Sequence, residues 1–183
     1  MSTPPLERIL LTGYMGSGKT TVGRLIASRL GWDFVDLDEE ITRRTGLTIS
    51  EIFNRYGEPY FRHEEAAALA DCLRRARCVL ALGGGAPESA ENRTLLQASA
   101  GTAVIYLEGT FEALRARCEA QAGEPGAVAR PVLADPDAAR RRFESRAPLY
   151  REVATLTLST LESSAEAVAE ALYAALAPEL FGS

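Results

Sequence analysis

Gly13-Tyr14-Met15-Gly16-Ser17-Gly18-Lys19-Thr20 matches the pattern G-x-x-x-x-G-K-[ST] at every position. An apolar run at 9–11 precedes this loop and predicts a buried strand, and a helical pattern begins near Lys19. Glycines allow successive backbone N–H groups to surround phosphate oxygens, and the helix N-terminus adds partial positive charge. We therefore predict a phosphate loop in which Lys19 reaches the β- and γ-phosphates of ATP and the Thr20 hydroxyl is a ligand of Mg²⁺.

Outward from the loop, short apolar runs alternate with helical patterns, which is typical of an α/β protein with a parallel sheet. The sequence predicts a single domain over residues 1–183, with a five-stranded parallel sheet flanked by helices. The predicted strands are 9–11, 34–35, 79–82, 102–107 and 155–158. The predicted helices are 19–30 with a stop at Gly31, most of 38–76 with breaks at 46 and 57–59, 89–98, 111–118, 135–142 or beyond, and 164–177.

Composition excludes several classes of protein. The net charge is −5, so no overall positive field favours nucleic acid or an anionic membrane surface. No apolar run approaches the roughly 18 residues that span a bilayer, and the first residues do not resemble a signal peptide. The three cysteines follow no metal-ligand spacing, which favours free thiols in a reducing compartment. We expect a cytoplasmic protein, and a monomer because no coiled-coil pattern is present.

Other features narrow the class of phosphate-loop protein. A GTPase should carry an Asn-Lys-x-Asp motif, and no Asn-Lys pair occurs here. The strand 79–82 ends in three glycines, where many transport and motor ATPases have an acidic metal ligand. The segment 120–129 is rich in alanine and glycine, and it is either a tolerated surface insertion or part of a mobile lid over about 119–134. Small size and a possible lid favour a metabolite or nucleotide kinase.

Candidate acceptor-binding residues lie outside the loop. Asp36 and Asp38 close the second predicted strand, where side chains two residues apart share a face, so both carboxylates could serve Mg²⁺ and an acceptor hydroxyl. Asp36 could instead cap a helix, and Arg62 could simply pair with Glu65. The run 83–85 lacks side chains, so a ligand could touch its backbone.

In these motifs the sequence closely resembles the shikimate kinases over nearly its whole length. The matching residues are the phosphate loop, Phe34-x-Asp36-x-Asp38, Gly57-Glu58-x-x-Phe61-Arg62-x-x-Glu65, Gly83-Gly84-Gly85, Arg130-Pro131-x-Leu133 and Arg146-x-x-x-Tyr150. The resemblance implies a fold of the nucleoside-monophosphate-kinase type, with an acceptor-binding part over about 38–65. It also implies Mg²⁺-dependent transfer of a phosphoryl group from ATP to the 3-hydroxyl of shikimate, a step toward chorismate and the aromatic amino acids.

The resemblance also implies residue roles. Asp38 would hold the acceptor hydroxyls and take the proton, while Asp36 would support Mg²⁺. Arg62 and Arg146 would clamp the acceptor's carboxylate above the backbone of Gly83, Gly84 and Gly85. Arg130 would meet the ATP phosphates from the lid, and Arg117 would stack on adenine, with Arg115 as the alternative. The nucleotide-binding set is then Gly13, Gly16, Ser17, Gly18, Lys19, Thr20, Thr21, Arg117 and Arg130.

Two other functions remain open at this point. One is a kinase for another small polyol acid such as gluconate, or for a nucleoside monophosphate. The other is a catalytically silent homologue, against which the intact phosphate loop and aspartate pair argue. Glu65 is expected to hold Arg62 in place, whereas His63, the next residue after Arg62, is expected to point away.

Overall fold

The computed structural model describes residues 5–122 and 135–181 of the chain. Strands and helices alternate along these ranges as the sequence predicts. The elements are β1 (Arg8–Thr12), α1 (Lys19–Leu30), β2 (Asp33–Asp36), α2 (Leu37–Thr45), α3 (Ile49–Cys72), β3 (Cys78–Ala81), α4 (Ala90–Ala98), β4 (Thr102–Glu108), α5 (Phe111–Ala122), α6 (Pro136–Val153), β5 (Leu156–Ser159) and α7 (Ala165–Phe181), with a 3-10 turn at Ala86–Glu88 before α4.

The five strands form one sheet in the order β2-β3-β1-β4-β5. Every neighbouring pair is parallel, and Ile9 at the centre is aligned with Val79 on one side and Ala103 on the other. All five residues of β1 are buried, because helices cover both faces of the sheet. The predicted five-stranded parallel sheet is confirmed, and its carboxyl edge carries the phosphate loop.

Two apolar layers hold the sheet between the helices. One layer joins residues of β1, β4, α1 and α7, including Ile9, Ile26 and Leu172. The other joins the opposite face of the sheet to α2, α3 and α4. Tyr14 is buried, Trp32 packs against the first layer, and the three cysteines are buried free thiols, as their spacing predicts.

Helix α1 has the limits that the sequence predicts. It begins at Lys19 after Gly18, whose φ of 89° is in the left-handed region, and Gly31 closes it with a φ of 63°. Gly31 donates its backbone N–H to the last turn of the helix, as is common at glycine C-caps. The fixed start of the helix directs its first N–H groups toward the loop.

The expected strand geometry around the aspartate pair is wrong. Strand β2 ends at Asp36, and α2 begins at Leu37, so Asp38 lies in the first turn of a helix. The Asp36 side chain accepts a hydrogen bond from the Asp38 backbone N–H, which is an N-cap contact. Asp36 and Asp38 therefore meet at a strand-to-helix junction, and strand alternation does not bring them together.

Helix α3 bends where the sequence predicts a break. A capping box between Thr48 and Glu51 begins it, and Gly57 interrupts it with φ 78° and ψ 177°. Pro59 lies in the first turn after this kink, where its missing N–H costs no helical hydrogen bond. The kink starts a new helical segment on which Arg62 and Glu65 lie three residues apart, on one face.

Three helices are longer than expected, and one of them, α7, continues to Phe181, beyond the predicted end at 177. Helix α6 runs unbroken from Pro136 to Val153, so Arg146 lies within it and not at its end. Helix α5 continues to Ala122, so the stretch 119–122 is helical and the expected irregular start at 119 is wrong. The rest of the proposed lid, 123–134, lies outside the described residues, together with Arg130.

Candidate active site

A cavity of about 340 Å³ opens at the carboxyl edge of the sheet, beside the ends of β1, β2 and β3. Ligands of open α/β sheets commonly bind at this edge. Its lining joins the phosphate loop to predicted acceptor residues: Met15, Gly16, Gly18, Lys19, Thr20, Thr21, Asp36, Asp38, Leu82, Gly83, Gly84, Gln121 and Arg146.

The phosphate loop is closed by the side chain of Lys19. Its Nζ donates to the carbonyl oxygens of Gly13 at 2.8 Å and Tyr14 at 3.0 Å. The loop leaves no room for a side chain at Gly16: a Cβ there would lie 2.4 Å from the carbonyl oxygen of Leu114, and φ at Gly16 is 79°. Glycine is therefore required at Gly16 by both backbone angle and space.

Thr20 and Asp36 lie together at the base of the cavity. The Thr20 hydroxyl donates to Asp36 Oδ2 at 3.2 Å. Hydroxyl and carboxylate oxygens suit Mg²⁺, which is usually bound through one or two protein groups with phosphates and water completing the shell. Among the described residues no group of three or more His, Cys, Asp or Glu side chains could hold a metal. These two oxygens fit a magnesium ion that is shared with a polyphosphate.

Asp38 lies between the phosphate loop and the glycine run. Asp38 is exposed to solvent through the cavity mouth, although neighbouring protein atoms displace part of the water around its carboxylate. Burial, and then the negative charge of Asp36, raise the pKa of Asp38, while Lys19 and Arg62 act in the opposite direction. A Cβ on Gly83 would lie 3.1 Å from Asp38 Oδ1, so the backbone of the glycine run borders this carboxylate directly.

Arg62 is held by a buried carboxylate. Its Nη1 donates to Glu65 Oε2 at 2.8 Å, and the Glu65 side chain is only 1% exposed. Burial raises the pKa of Glu65 although Arg62 opposes this shift. Asn92 lies behind Glu65, and its Nδ2 donates to the Ala86 carbonyl oxygen at 2.9 Å. The predicted contact between Glu65 and Arg62 is present.

Arg146 reaches the same region from α6. Its Nη2 donates to Glu88 Oε2 at 2.8 Å, and its Nε is buried without a hydrogen-bond acceptor in the part of the chain that the structure describes. One turn further along, the Tyr150 hydroxyl donates to the Gly84 carbonyl oxygen at 2.6 Å. Helix α6 thus supplies a cation to the cavity and also fixes the glycine backbone.

A second cavity of about 170 Å³ lies on the other side of the phosphate loop and shares Gly16, Gly18, Thr21 and Gln121 with the first. Arg117 lines it and donates to the hydroxyl and carbonyl oxygens of Thr160, at the end of β5. Arg115 pairs instead with Glu119 one helical turn away. Of the two arginines considered for adenine stacking, Arg117 is the one in this cavity.

The structure brings most predicted site residues to one place. Asp38, Gly83, Gly84 and Arg146 line the main cavity with the loop, whereas Arg62 and Gly85 lie directly behind it. His63 is exposed, as expected.

The sequence interpretation missed three contributors, namely Glu88, Asn92 and the hydroxyl of Tyr150. Tyr150 belongs to the motif that begins at Arg146, one helical turn away, but the motif does not indicate the contact of its hydroxyl with Gly84. Nothing in the local sequence marks Glu88 or Asn92.

A phosphate loop that faces an aspartate and an arginine across one cavity, on a parallel five-stranded sheet, defines a phosphate-loop kinase of small molecules. A family model for shikimate kinase matches residues 15–177. The chain belongs to the shikimate kinase family.

Named relatives agree with this assignment. The shikimate kinase of Frankia casuarinae is 43% identical over 95% of this chain and 74% of its own length. That of Thermobifida fusca is 42% identical over 93% of this chain and 94% of its own. The structure of the Acinetobacter baumannii enzyme in complex with shikimate has a TM-score of 0.81 at 39% identity and covers 96% of each chain.

A more distant structure shows the fold alone. A gluconokinase from Sinorhizobium meliloti has a TM-score of 0.62 at 23% identity, over 96% of each chain. Separately, no helix within 5–122 or 135–181 is long and apolar enough to cross a membrane.

Proposed function

We propose that this protein is a shikimate kinase that transfers the γ-phosphoryl group of ATP to the 3-hydroxyl of shikimate, with Mg²⁺, on the route to chorismate and the aromatic amino acids. The observation that carries the proposal is the single cavity whose lining includes Lys19 of the phosphate loop, Asp38 and Arg146. A polyphosphate and a carboxylate-bearing polyol fit such a cavity, because cations lie at both ends and a carboxylate lies between them.

ATP occupies both cavities in this proposal. Its phosphates lie against the backbone of Gly13, Gly16, Ser17 and Gly18 and against Lys19, Thr20 and Thr21, and its adenine lies in the smaller cavity beside Arg117. Support comes from the loop residues that line both cavities. The proposed contact of Arg130 with the phosphates stays a prediction.

Magnesium is held by the Thr20 hydroxyl and, through water, by Asp36. When bound, the ion neutralises phosphate charge as the phosphoryl group moves. The hydrogen bond between the two side chains supports this role, because it fixes both oxygens at one end of the cavity.

Shikimate lies with its carboxylate toward Arg62 and Arg146 and its hydroxyls toward Asp38. Planar guanidinium groups suit carboxylates, since each can donate two parallel hydrogen bonds. Gly83, Gly84 and Gly85 contribute backbone only, which lets the ring approach closely. The buried Nε of Arg146 supports this placement because it is a donor without an acceptor among the described residues.

Asp38 takes the proton from the acceptor hydroxyl as the phosphoryl group is transferred. Its raised pKa strengthens it as a base relative to an ordinary aspartate, and an approaching polyphosphate adds negative charge that acts in the same direction. Phosphoryl transfer otherwise depends on positioning and charge neutralisation, which Lys19 and the loop provide.

We further propose a cytoplasmic monomer in which about 38–65 form the acceptor-binding part and about 119–134 the lid. The free, buried cysteines suit a reducing compartment. Gln121, near the end of α5, lines both cavities, which suits a lid that begins beside the nucleotide. The net charge of −5 gives no support to binding of nucleic acid.

The test is release of ADP with ATP and Mg²⁺, compared between shikimate, gluconate, AMP and CMP. We expect ADP release that depends on shikimate. A response to another acceptor, with none to shikimate, would leave the phosphate loop assigned and refute the roles of Asp38, Arg62 and Arg146.

A further inference from the structure

A third carboxylate bridges the two arginines of the acceptor site. Glu88 Oε2 accepts hydrogen bonds from Arg146 Nη2 at 2.8 Å and from Arg62 Nη2 at 3.0 Å. Glu88 ends the 3-10 turn that directly follows the glycine run. One carboxylate of the protein itself therefore already occupies donors that would bind the carboxylate of an acceptor.

The bridge lies on the backbone of Gly85. A Cβ on Gly85 would lie 2.9 Å from Arg62 Nη2, 2.9 Å from Glu88 Oε2 and 3.0 Å from Arg146 Nη2. Arg146 lines the main cavity, but Arg62 and Gly85 do not. With Glu88 in this position, Arg62 is not among the groups that face the cavity.

Glu88 differs from Glu65, the buried partner of Arg62. Its side chain is 35% exposed, whereas that of Glu65 is 1% exposed, so only Glu88 can turn toward solvent without leaving a carboxylate buried. Burial alone would raise the pKa of Glu88, but the hydrogen bond and charge of Arg146 and the charge of Arg62 outweigh it and lower the pKa. Glu88 is thus ionised at neutral pH and displaceable.

We propose that Glu88 is an internal competitor of the acceptor, whose carboxylate has to displace that of Glu88 from Arg62 and Arg146 before phosphoryl transfer. The proposal rests on the proposed function, because it assumes that the acceptor's carboxylate binds these arginines. In the free enzyme, Glu88 neutralises the two neighbouring arginines. Its displacement weakens acceptor binding, because one ion pair is broken for each one formed.

The alternative role for Glu88 predicts the opposite sign. If Glu88 only supported the arginines in a binding position, its removal would let two like charges move apart and would weaken acceptor binding. If Glu88 competes with the acceptor, its removal strengthens acceptor binding. Glutamine has the same shape without the charge, so Glu88→Gln separates the two roles.

The experiment measures kcat and both Michaelis constants for the wild type and for Glu88→Gln. We expect the KM for shikimate to fall about threefold to tenfold, as for loss of a partly exposed ion pair with charge-assisted hydrogen bonds. The KM for ATP and kcat should each change less than about twofold, because the change is confined to the carboxylate end of the acceptor site. Calorimetric titration with shikimate in the absence of ATP should show the same gain in affinity.

Glu58→Gln is the matched control. Glu58 hydrogen-bonds Arg62 through Nε at 3.3 Å and Nη2 at 3.1 Å, but its side chain is 63% exposed and lies outside the bridge to Arg146. The Glu58→Gln variant also removes one negative charge beside Arg62, but it leaves the bridge between Glu88 and the two arginines intact. Its effect on the KM for shikimate should therefore be clearly smaller. Equal effects of the two variants would refute the bridge as the cause.

Cyclohex-1-ene-1-carboxylate, which has the ring and carboxylate without hydroxyls, serves as a competitive probe. Its inhibition constant should fall by the same factor as the KM for shikimate in Glu88→Gln. An unchanged or higher KM and inhibition constant in this variant would overturn the proposal. A wild type without shikimate-dependent ADP release would instead refute the proposed function, so the two failures are distinguishable.

Discussion

Replacement of Glu65 by glutamine tests how the acceptor site is held in shape. Glu65 is buried and accepts from Arg62 Nη1 at 2.8 Å, and Arg62 is itself only 23% exposed. Glutamine keeps the size of the side chain but removes the charge, and its amide nitrogen cannot accept from the guanidinium. Arg62 would then lose the charge of its most buried partner, which could accept only through its amide oxygen, while its contacts with Glu58 and Glu88 remain.

The size of the effect follows from this contact. A hydrogen bond between charged groups is worth about 1.5–3 kcal/mol, and each 1.4 kcal/mol or so is a factor of ten. Because Arg62 still pairs with two other carboxylates, we expect the lower end of this energy range, which corresponds to a rise of about tenfold in the KM for shikimate. The KM for ATP should change by less than about twofold, since the phosphate loop is untouched.

Steady-state kinetics with each substrate varied in turn measures both constants. His63→Ala is the control on the same helix, because His63 is exposed and points away from the cavity. Equal increases in the two Michaelis constants of Glu65→Gln, or an unchanged KM for shikimate, would refute the role of Glu65 in positioning Arg62.

The remaining predictions concern Arg62, Asp38 and two glycines. Arg62→Ala should raise the KM for shikimate far more than that for ATP, and equal effects would remove Arg62 from the carboxylate. Asp38→Asn should lower kcat by about 10²–10⁴-fold with ATP binding intact, and near-normal turnover would exclude Asp38 as the base. The Asp38→Asn variant should also have a larger free energy of unfolding than the wild type at neutral pH. A carboxyl group whose pKa is higher in the folded than in the unfolded protein destabilises the fold once the pH rises above its pKa in the unfolded protein. Thermal melting should show this gain vanish in acid, where the carboxyl is protonated in both states. Gly16→Ala should abolish ATP binding or folding, since its Cβ would lie 2.4 Å from a backbone oxygen. Gly31→Ala, with no atom within 4 Å of its Cβ, should cost only the backbone strain of about 1–2 kcal/mol.

Much of the fold could be predicted from sequence because its signals are local. The apolar run of β1, the glycines of the loop and the stop at Gly31 each act over a few residues, and the structure has them as expected. The signal for the break in α3 is also local, because Gly57 has a φ of 78°, a backbone angle that favours glycine.

The errors came from features that local pattern does not contain. Side-chain alternation extends the second strand as far as Asp38, but a helix begins between the two aspartates, with Asp36 as its N-cap. The continuation of α6 past Arg146 was missed because exposed arginines on its surface give a weak apolar stripe.

Most predicted site residues lie at or beside the cavity, but the contacts between them could not be predicted. Resemblance supplied Asp38, Arg62 and Arg146, which the fold brings together from three helices. Glu88 could not be foreseen, because its role depends on contacts with residues 26 and 58 positions away in the chain. Such a contact depends on how distant parts of the chain come together in the fold, and no fixed spacing in the sequence indicates it.

The chemical structure of the product tests the proposed transfer to the 3-hydroxyl of shikimate. The protein, ATP, Mg²⁺ and shikimate are incubated together, and the product is analysed by phosphorus and proton nuclear magnetic resonance. We expect one new phosphate ester, coupled to the ring proton at the carbon that bears the 3-hydroxyl. Phosphate on a different hydroxyl, or no phosphorylated shikimate while another acceptor is phosphorylated, would contradict the proposed transfer.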